Sequence, residues 1–195
     1  MTIVLASNNA HKLVEIGRMV EMELKPLREF PEIPDPPETQ ETFEGNALQK
    51  ARFVFERTGL PCIADDSGLE VDALGGAPGV RSKRWTPEAI AETNNAKMLR
   101  EMAGVDDRSA RFVCALAVVT AKGERAWRGT VEGRIGHELK GSNGFGYDPY
   151  FLIPEYHQTF GELSPLVKKV LSHRARAMRS VTQDLVKALA SQPDA

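Results

Sequence analysis

Short apolar runs without helical spacing recur along the chain and predict buried strands. These runs cover residues 2–6, 62–66, 111–120 and 150–153. A hairpin turn near Gly123 would pair the third run with residues 125–132. A further run at 24–30 contains Pro26, which lacks an amide N–H, and therefore predicts a strand at the edge of a sheet.

Apolar residues at helical spacing predict four helices between these strands. The first covers residues 10–22 after Asn9 as N-cap, and the second covers 42–58 before Gly59. The third begins at Thr86 and ends at Gly104, and the last carries an apolar stripe from Ala175 to Leu189. Because strands and helices interleave and a hairpin is present, we expect an α/β fold with a mixed sheet.

Composition narrows the class of protein. The length of 195 residues and the hydrophobic content of 42% suit one globular domain over 1–195. A net charge of −2 argues against a nucleic-acid-binding surface, and no apolar run approaches the ~20 residues of a membrane span. The N-terminus lacks the basic stretch of a signal peptide. Cys62 and Cys114 lie in apolar runs and are expected to be buried free thiols, which predicts a cytoplasmic protein.

Asp65 and Asp66 are the strongest candidates for chemistry because charge in or beside a buried strand is costly unless it is paired or binds metal. Neighbouring strand residues point to opposite faces, so one carboxylate should face a ligand and the other should anchor a turn at Ser67-Gly68. Alternation alone does not say which. The alternative is that both acids only cap the turn.

Other parts of the chain could also bind a ligand, and each has an ordinary structural interpretation as well. The loop Ser7–Lys12 could bind an anion at a helix start, or could be a capped helix with a solvated lysine. Glu38 and Lys50, taken alone, are a loop acid and a surface lysine. The glycine-rich loop 141–149 could stack Phe145 or Tyr147 on a base, or could be a tight turn. The segment 168–174 could equally be an ordinary basic helix face.

Taken together, the segments resemble one protein family. The chain shows in order [ST]xNxxK, Glu-Thr, TFxxNAxxKA, ADDSGLxVxxLGGxPG, GFGYDP and KxxxSHRxxA, and these blocks span most of its length. This pattern is similar to that of the inosine triphosphate pyrophosphatases, also called dITP/XTP pyrophosphatases. The resemblance implies a long mixed β-sheet flanked by helices, with two lobes around a central active-site cleft, usually in a homodimer.

The resemblance also implies an activity: Mg²⁺-dependent cleavage of ITP, dITP, XTP or dXTP to the monophosphate and pyrophosphate. Glu38 and Asp66 match the metal-binding acids, and Asp66 also matches the proton acceptor. The expected substrate contacts are Ser7, Asn8, Asn9, Ala10, His11, Lys12, Lys50, Ser67, Phe145, Gly146, Tyr147, Asp148, Lys168, His173 and Arg174.

Two positions depart from the family pattern. Many members have glutamate where this chain has Gly45, and many have glycine where it has Gln40. We assign no role to Gly45, and Gln40 leaves the path of the Glu38 loop open. Two alternative functions are a non-catalytic purine nucleotide sensor and a Maf-like pyrophosphatase of modified pyrimidine nucleotides. The SHR block and the GFGYDP loop favour the purine assignment.

Overall fold

A computed structural model describes residues 2–17 and 22–190 of the chain. Within these ranges the strands are β1 (Thr2–Leu5), β2 (Glu23–Pro26), β3 (Cys62–Val71), β4 (Ser109–Thr120), β5 (Gly123–Ile135), β6 (Phe151–Ile153) and β7 (Gln158–Thr159). The helices are α1 (Ala10–Gly17), α2 (Phe43–Thr58), α3 (Ala91–Glu101), α4 (Pro165–Leu171) and α5 (His173–Ala190). Val20, placed in the first helix by its spacing, lies outside the described residues.

The strands form one seven-stranded sheet in the order β2-β1-β3-β4-β5-β6-β7. The pairs β1/β2 and β1/β3 are parallel, whereas β5/β6 and β6/β7 are antiparallel. The prediction of an α/β fold with a mixed sheet is therefore confirmed. The strand containing Pro26 lies at the sheet edge, as its missing N–H requires.

The chain divides into two compact units. The first comprises residues 1–66, 114–129 and 174–195. Its core joins apolar side chains of β1, β3 and β4 to α1 and α5, among them Leu5, Ile63, Leu116, Met178 and Val181. The apolar stripe predicted for the last helix is therefore confirmed over 177–181, while the side chains from residue 185 onward lie outside the described part of the chain.

The second unit comprises residues 67–113 and 130–173. Its core gathers side chains of β3, α3, β4, β5 and β6, among them Leu69, Met98, Phe112, Phe151 and Phe160. The rings of Phe112 and Phe151 lie 4.4 Å apart between centroids, and those of Phe151 and Phe160 lie 5.5 Å apart. This aromatic cluster anchors the strand that follows the glycine-rich loop.

Three local predictions are wrong. The strand predicted over 24–30 ends at Pro26, and Leu27–Glu29 form a 3₁₀ helix instead. The turn at Ser67-Gly68 does not exist, because β3 continues through it to Val71. Leu69 and Val71 keep the strand alternation and bury their side chains completely, which favours an extended path. The third helix begins at Ala91 rather than Thr86. The amide N–H and the hydroxyl of Thr86 donate instead to the side-chain oxygen of Asn94, which lies in that helix.

Both cysteines are free and buried, as expected. Among the described residues, no helix has both the length and the apolar character needed to cross a membrane.

Candidate active site

The first unit holds Lys50 between two acids that are distant in sequence. Lys50 lies on α2, and its Nζ is 2.7 Å from Oε1 of Glu38 and 3.1 Å from Oδ1 of Asp66. Only 6% of the Lys50 side chain is exposed. Burial alone would lower the pKa of Lys50, but Asp66, Asp65 and Glu38 outweigh it and raise that pKa. Lys50 therefore stays protonated, and the carboxylates of Glu38 and Asp66 both contact its ammonium group.

Asp66 is held by α2 through a second side chain. Asn46 donates from Nδ2 to Oδ2 of Asp66 over 3.0 Å, one helical turn before Lys50. Burial and the nearby carboxylate of Glu38 raise the pKa of Asp66, although Lys50 and Asn46 oppose this shift. A carboxylate with a raised pKa is a better proton acceptor near neutral pH than an ordinary one.

Asp65 faces a different pair of cations. Its Oδ1 lies 2.8 Å from Nζ of Lys12, and its Oδ2 lies 3.3 Å from Nη2 of Arg174. Burial alone would raise the pKa of Asp65, but Lys12, Arg174 and Lys50 hold it well below its usual range. Asp65 therefore stays ionised and links α1, β3 and α5.

The loop that carries Glu38 is fixed by side chains of α2. Gln49 accepts from the backbone N of Thr39 over 3.0 Å and donates to its hydroxyl over 2.8 Å. Asn46 accepts from the backbone N of Gln40 over 2.9 Å. The proline-rich segment before Glu38 has no regular secondary structure. These contacts therefore give the Glu38 carboxylate a defined position.

The N-terminal loop precedes α1 as predicted. Asn9 accepts from the backbone N of Lys12 over 3.3 Å and caps the helix that starts at Ala10, while Ser7 accepts from the backbone N of Asn9 over 3.2 Å. Asn8 donates to Oδ1 of Asp35 over 3.2 Å. The side chain of His11 lies outside the described part of the chain. Backbone N–H groups at such a helix start favour an anion.

The two acids around Lys50 fit a magnesium site. Among the described residues, no group of three or more histidine, cysteine, aspartate or glutamate side chains is arranged to hold a metal ion. Mg²⁺, however, is usually bound through one or two carboxylates together with substrate phosphates and water. Glu38 and Asp66 already converge on a positive charge, so their arrangement matches that requirement.

In the second unit, Asp148 organises the glycine-rich loop. The backbone N of Phe145 donates to Oδ2 of Asp148 over 2.7 Å, and Lys168 pairs with the same oxygen. Nζ of Lys168 lies 5.2 Å from the centroid of the Phe145 ring. Gly144 has a φ of +79°, and a Cβ there would lie 2.1 Å from Asp148, so only glycine fits. Three of the predicted contacts, Phe145, Asp148 and Lys168, therefore lie together.

Phe145 and Tyr147 have different environments in this loop. Phe145 is 58% exposed, whereas the ring of Tyr147 is buried and its hydroxyl donates to the backbone O of Ser82 over 2.8 Å. Burial raises the pKa of Tyr147. Between them, the backbone O of Gly146 accepts from Asn95 over 3.1 Å. Phe145 is thus the ring that can stack on a ligand.

Three predicted substrate contacts remain: Ser67, His173 and Arg174. Ser67 is half-buried and follows Asp66 directly in β3. His173 is buried at the start of α5, and its ring stacks on Phe112 at 5.1 Å between centroids. Arg174 follows His173 and, in the first unit, also donates from Nε to Oδ2 of Asp65 over 3.4 Å.

Two features of the site did not emerge from the sequence. The cation pairing of Asp65 joins segments more than 100 residues apart, which no local pattern reports. Asn46 lies in the TFxxNAxxKA block, but no function is assigned to it from the sequence. Its spacing of four residues from Lys50 on a helix was the available signal, because it places both polar side chains on one face.

The chain is similar to known proteins over most of its length. A model of the Ham1 family matches residues 3–184. A dITP/XTP pyrophosphatase from Cutibacterium acnes is 47% identical over 196 residues, covering 94% of this chain and 96% of the relative. Another from an Exiguobacterium species is 44% identical over 191 residues, covering 95% of this chain and 97% of the relative.

Solved structures are similar to most of the chain. The Ham1 protein of Staphylococcus aureus matches with a TM-score of 0.92 and 35% identity, covering 96% of this chain and 100% of that chain. A nucleoside-triphosphatase, or dITP/XTP pyrophosphatase, of Mycobacterium abscessus matches with a TM-score of 0.81 and 43% identity, covering 93% of this chain and 98% of that chain.

Proposed function

The chain belongs to the Ham1 family, and on that premise we propose that it hydrolyses non-standard purine nucleoside triphosphates to the monophosphate and pyrophosphate. Relatives named dITP/XTP pyrophosphatase, at 42% to 47% identity over most of the chain, support dITP and XTP as substrates. By the same argument ITP and dXTP, which carry the same bases, belong to the substrate class.

One observation of this chain carries the proposal. Glu38 and Asp66, from a loop and a strand, converge on the buried ammonium group of Lys50. Two acids beside a fixed cation suit the hydrolysis of a polyphosphate, where catalysis is mostly positioning and electrostatic stabilisation. Glu38 and Asp66 would hold Mg²⁺, which when bound would stabilise the negative charge on the phosphate oxygens around the reacting phosphorus.

The remaining charges of the first unit suit the triphosphate. Lys50 would neutralise phosphate oxygens beside the two acids. Lys12, held by Asp65 in the first turn of α1, would do the same next to the backbone N–H groups of the loop that starts at Ser7. Asp65 thereby keeps one cation oriented without being a metal ligand itself.

The reaction we propose is attack by water on the α-phosphorus. A bond forms between the water oxygen and this phosphorus, while the bond from the phosphorus to the oxygen that bridges the α- and β-phosphates breaks. Pyrophosphate leaves with the electron pair of that bond. Asp66 accepts the proton of the attacking water.

The choice of base would follow from hydrogen-bond polarity. Hypoxanthine and xanthine present an acceptor oxygen at position 6, whereas adenine presents an amino donor there. His173 and Arg174 offer donors that match the oxygen and would leave adenine unpaired, which can give discrimination of roughly 10⁴-fold. The exposed ring of Phe145 would stack on the base. We assign no group to the exclusion of guanine.

A panel of nucleotides tests the proposal. We expect Mg²⁺-dependent release of pyrophosphate from ITP and XTP and their deoxy forms, with little release from ATP, GTP, dTTP or dUTP. Binding of ITP without turnover would instead identify a purine nucleotide sensor. Turnover of pyrimidine nucleotides in preference to ITP would identify a Maf-like activity. Release of orthophosphate rather than pyrophosphate would contradict the bond we assign.

The assembly and location are also proposals. The family resemblance supports a cytoplasmic homodimer that binds nucleotides rather than nucleic acid. Light scattering on the purified protein tests the assembly, and a mass of one chain (21.5 kDa) would contradict it.

A further inference from the structure

We propose that Asn46 is a positioning residue that fixes the distance between the two metal-binding carboxylates, Glu38 and Asp66. This inference rests on the proposed function, since it assumes that the two acids bind one metal ion. Asn46 itself would touch neither the metal nor the substrate. Its side chain would act by joining the loop after Glu38 to the strand that carries Asp66.

The contacts of Asn46 carry this inference. Its side chain is completely buried. Its Oδ1 accepts from the backbone N of Gln40 over 2.9 Å, and its Nδ2 donates to Oδ2 of Asp66 over 3.0 Å. One carboxamide therefore connects the two segments that supply the acids.

Only a carboxamide of this size suits both partners. The backbone N–H of Gln40 needs an acceptor, and the carboxylate of Asp66 needs a donor. Aspartate at position 46 would supply the acceptor but place a second negative charge against Asp66. Alanine would supply neither, and would leave a buried carboxylate oxygen of Asp66 without its present donor.

The packing of the loop on α2 keeps this connection short. Gly45 precedes Asn46, and a Cβ at position 45 would lie 2.9 Å from Cβ of Gln40 and 2.9 Å from Oγ1 of Thr42. The absence of a side chain at position 45 thus lets Gln40 lie directly against the first turn of α2. Its backbone N then lies within hydrogen-bond distance of Asn46.

Lys50 and Asn46 have distinct tasks on one face of α2. They are four residues apart and therefore lie one above the other. Lys50 draws the two carboxylates toward a common charge, which a bound cation could replace. The hydrogen bond from the backbone N–H of Gln40 to Asn46 involves no charged group. It therefore does not depend on whether Lys50 or a metal ion lies between the two acids.

The test compares Asn46→Ala with Gln49→Ala. Gln49 ties the same loop to the same helix through Thr39, and none of its described hydrogen bonds involves Asp66. We measure the affinity for Mn²⁺ without nucleotide by electron paramagnetic resonance, and kcat and KM for ITP at several Mg²⁺ concentrations. Thermal unfolding of both variants reports any general loss of structure.

We expect Asn46→Ala to weaken Mn²⁺ binding by about tenfold and to lower kcat by about tenfold or more, with KM for ITP nearly unchanged. Gln49→Ala should change each quantity by no more than about threefold, because it loosens the loop without releasing Asp66. Equal effects of the two variants, or wild-type Mn²⁺ affinity in Asn46→Ala, would overturn the proposal.

A second measurement uses the wild-type protein and covers the case in which Asn46→Ala does not fold. Addition of Mg²⁺ should shift the side-chain amide resonances of Asn46 and the backbone N–H of Gln40 together. If these resonances stay unchanged while Mg²⁺ binds, Asn46 does not connect the two acids. Failure of the proposed function would look different, because the wild-type protein would then not release pyrophosphate from ITP, XTP or their deoxy forms.

Discussion

Asp65 and Asp66 are neighbours in β3, yet their carboxylates are held by different cations: Asp65 lies 2.8 Å from Lys12, and Asp66 lies 3.1 Å from Lys50. The pleat of the strand sends the two side chains to opposite faces. One acid therefore serves the proposed chemistry beside Glu38, while the other joins α1 and α5 to the sheet.

Asp65→Asn should cost stability because it removes the negative charge between Lys12 and the buried guanidinium of Arg174. We expect the free energy of unfolding to fall by about 3 kcal/mol, which urea denaturation measures. Asp72→Asn, which breaks a partly exposed pair with Arg111, is the control and should cost less than about 1 kcal/mol. Equal losses of unfolding free energy in the two variants would show that the ion pairs of Asp65 contribute no more than a surface ion pair does.

Phe145→Ala and Tyr147→Phe should separate ligand stacking from loop structure. Because the Phe145 ring is exposed, its loss should raise KM for ITP about tenfold and barely change stability. Tyr147→Phe removes the hydrogen bond to Ser82 and should lower the free energy of unfolding by about 1 kcal/mol with KM unchanged. If Tyr147→Phe raised KM and Phe145→Ala lowered the free energy of unfolding, Tyr147 would be the ring that contacts the base.

The sequence predicts which segments could carry the site, but not how their side chains pair. The alternation of β3 implies that only one of Asp65 and Asp66 faces the ligand, but it does not indicate which one. The choice depends on Lys50 and Asn46, which approach from α2, and on Lys12 and Arg174, which approach from α1 and α5. Such pairings are tertiary, and local pattern cannot report them.

The wrong predictions at Ser67-Gly68 and at Thr86 have the same origin. Ser67 and Gly68 are typical of turns, but the buried side chains of Leu69 and Val71 hold them in a strand. Thr86 has the chemistry of an N-cap, but its hydrogen bonds go to the side chain of Asn94. In both cases tertiary contacts outweigh a local preference.

Gln40 and Gly45, which depart separately from the family pattern, are close to each other in the structure. A Cβ at position 45 would lie 2.9 Å from Cβ of Gln40. Gly45→Ala should therefore destabilise the wild-type chain despite the higher helix propensity of alanine.

The same substitution should cost less in the Gln40→Gly background, with a coupling free energy of about 1 kcal/mol. A double-mutant cycle measured by urea denaturation checks this. Additive effects of the two substitutions would mean that the two positions are independent, and that Thr42 alone restricts position 45.

The buried thiol of Cys62 should make stability depend on pH in the alkaline range. Burial raises its pKa from 9.0 to about 12, against the effect of a backbone hydrogen bond at Ala6. Below pH 9 the thiol is neutral in both states, but between pH 9 and 12 only the unfolded chain loses the proton. The free energy of unfolding should fall there by about 1.4 kcal/mol per pH unit from this group.

Cys62→Ala should flatten that decline, because the variant has no thiol at this position to ionise on unfolding. Chemical denaturation of the wild-type protein and of Cys62→Ala at a series of pH values measures the difference between the two slopes. Parallel declines in both proteins would show that other groups account for the alkaline loss.

Asp66→Asn tests most directly whether Asp66 is the proton acceptor beside Glu38 and Lys50. The substitution keeps the size of the side chain and removes its basicity. Pyrophosphate release from ITP at saturating Mg²⁺ is the measurement, with urea denaturation to verify folding. We predict that kcat falls by about 10³-fold or more in a folded variant. A folded Asp66→Asn protein whose turnover stays within about tenfold of wild type, a loss of only ~1.4 kcal/mol of transition-state stabilisation, would contradict the account.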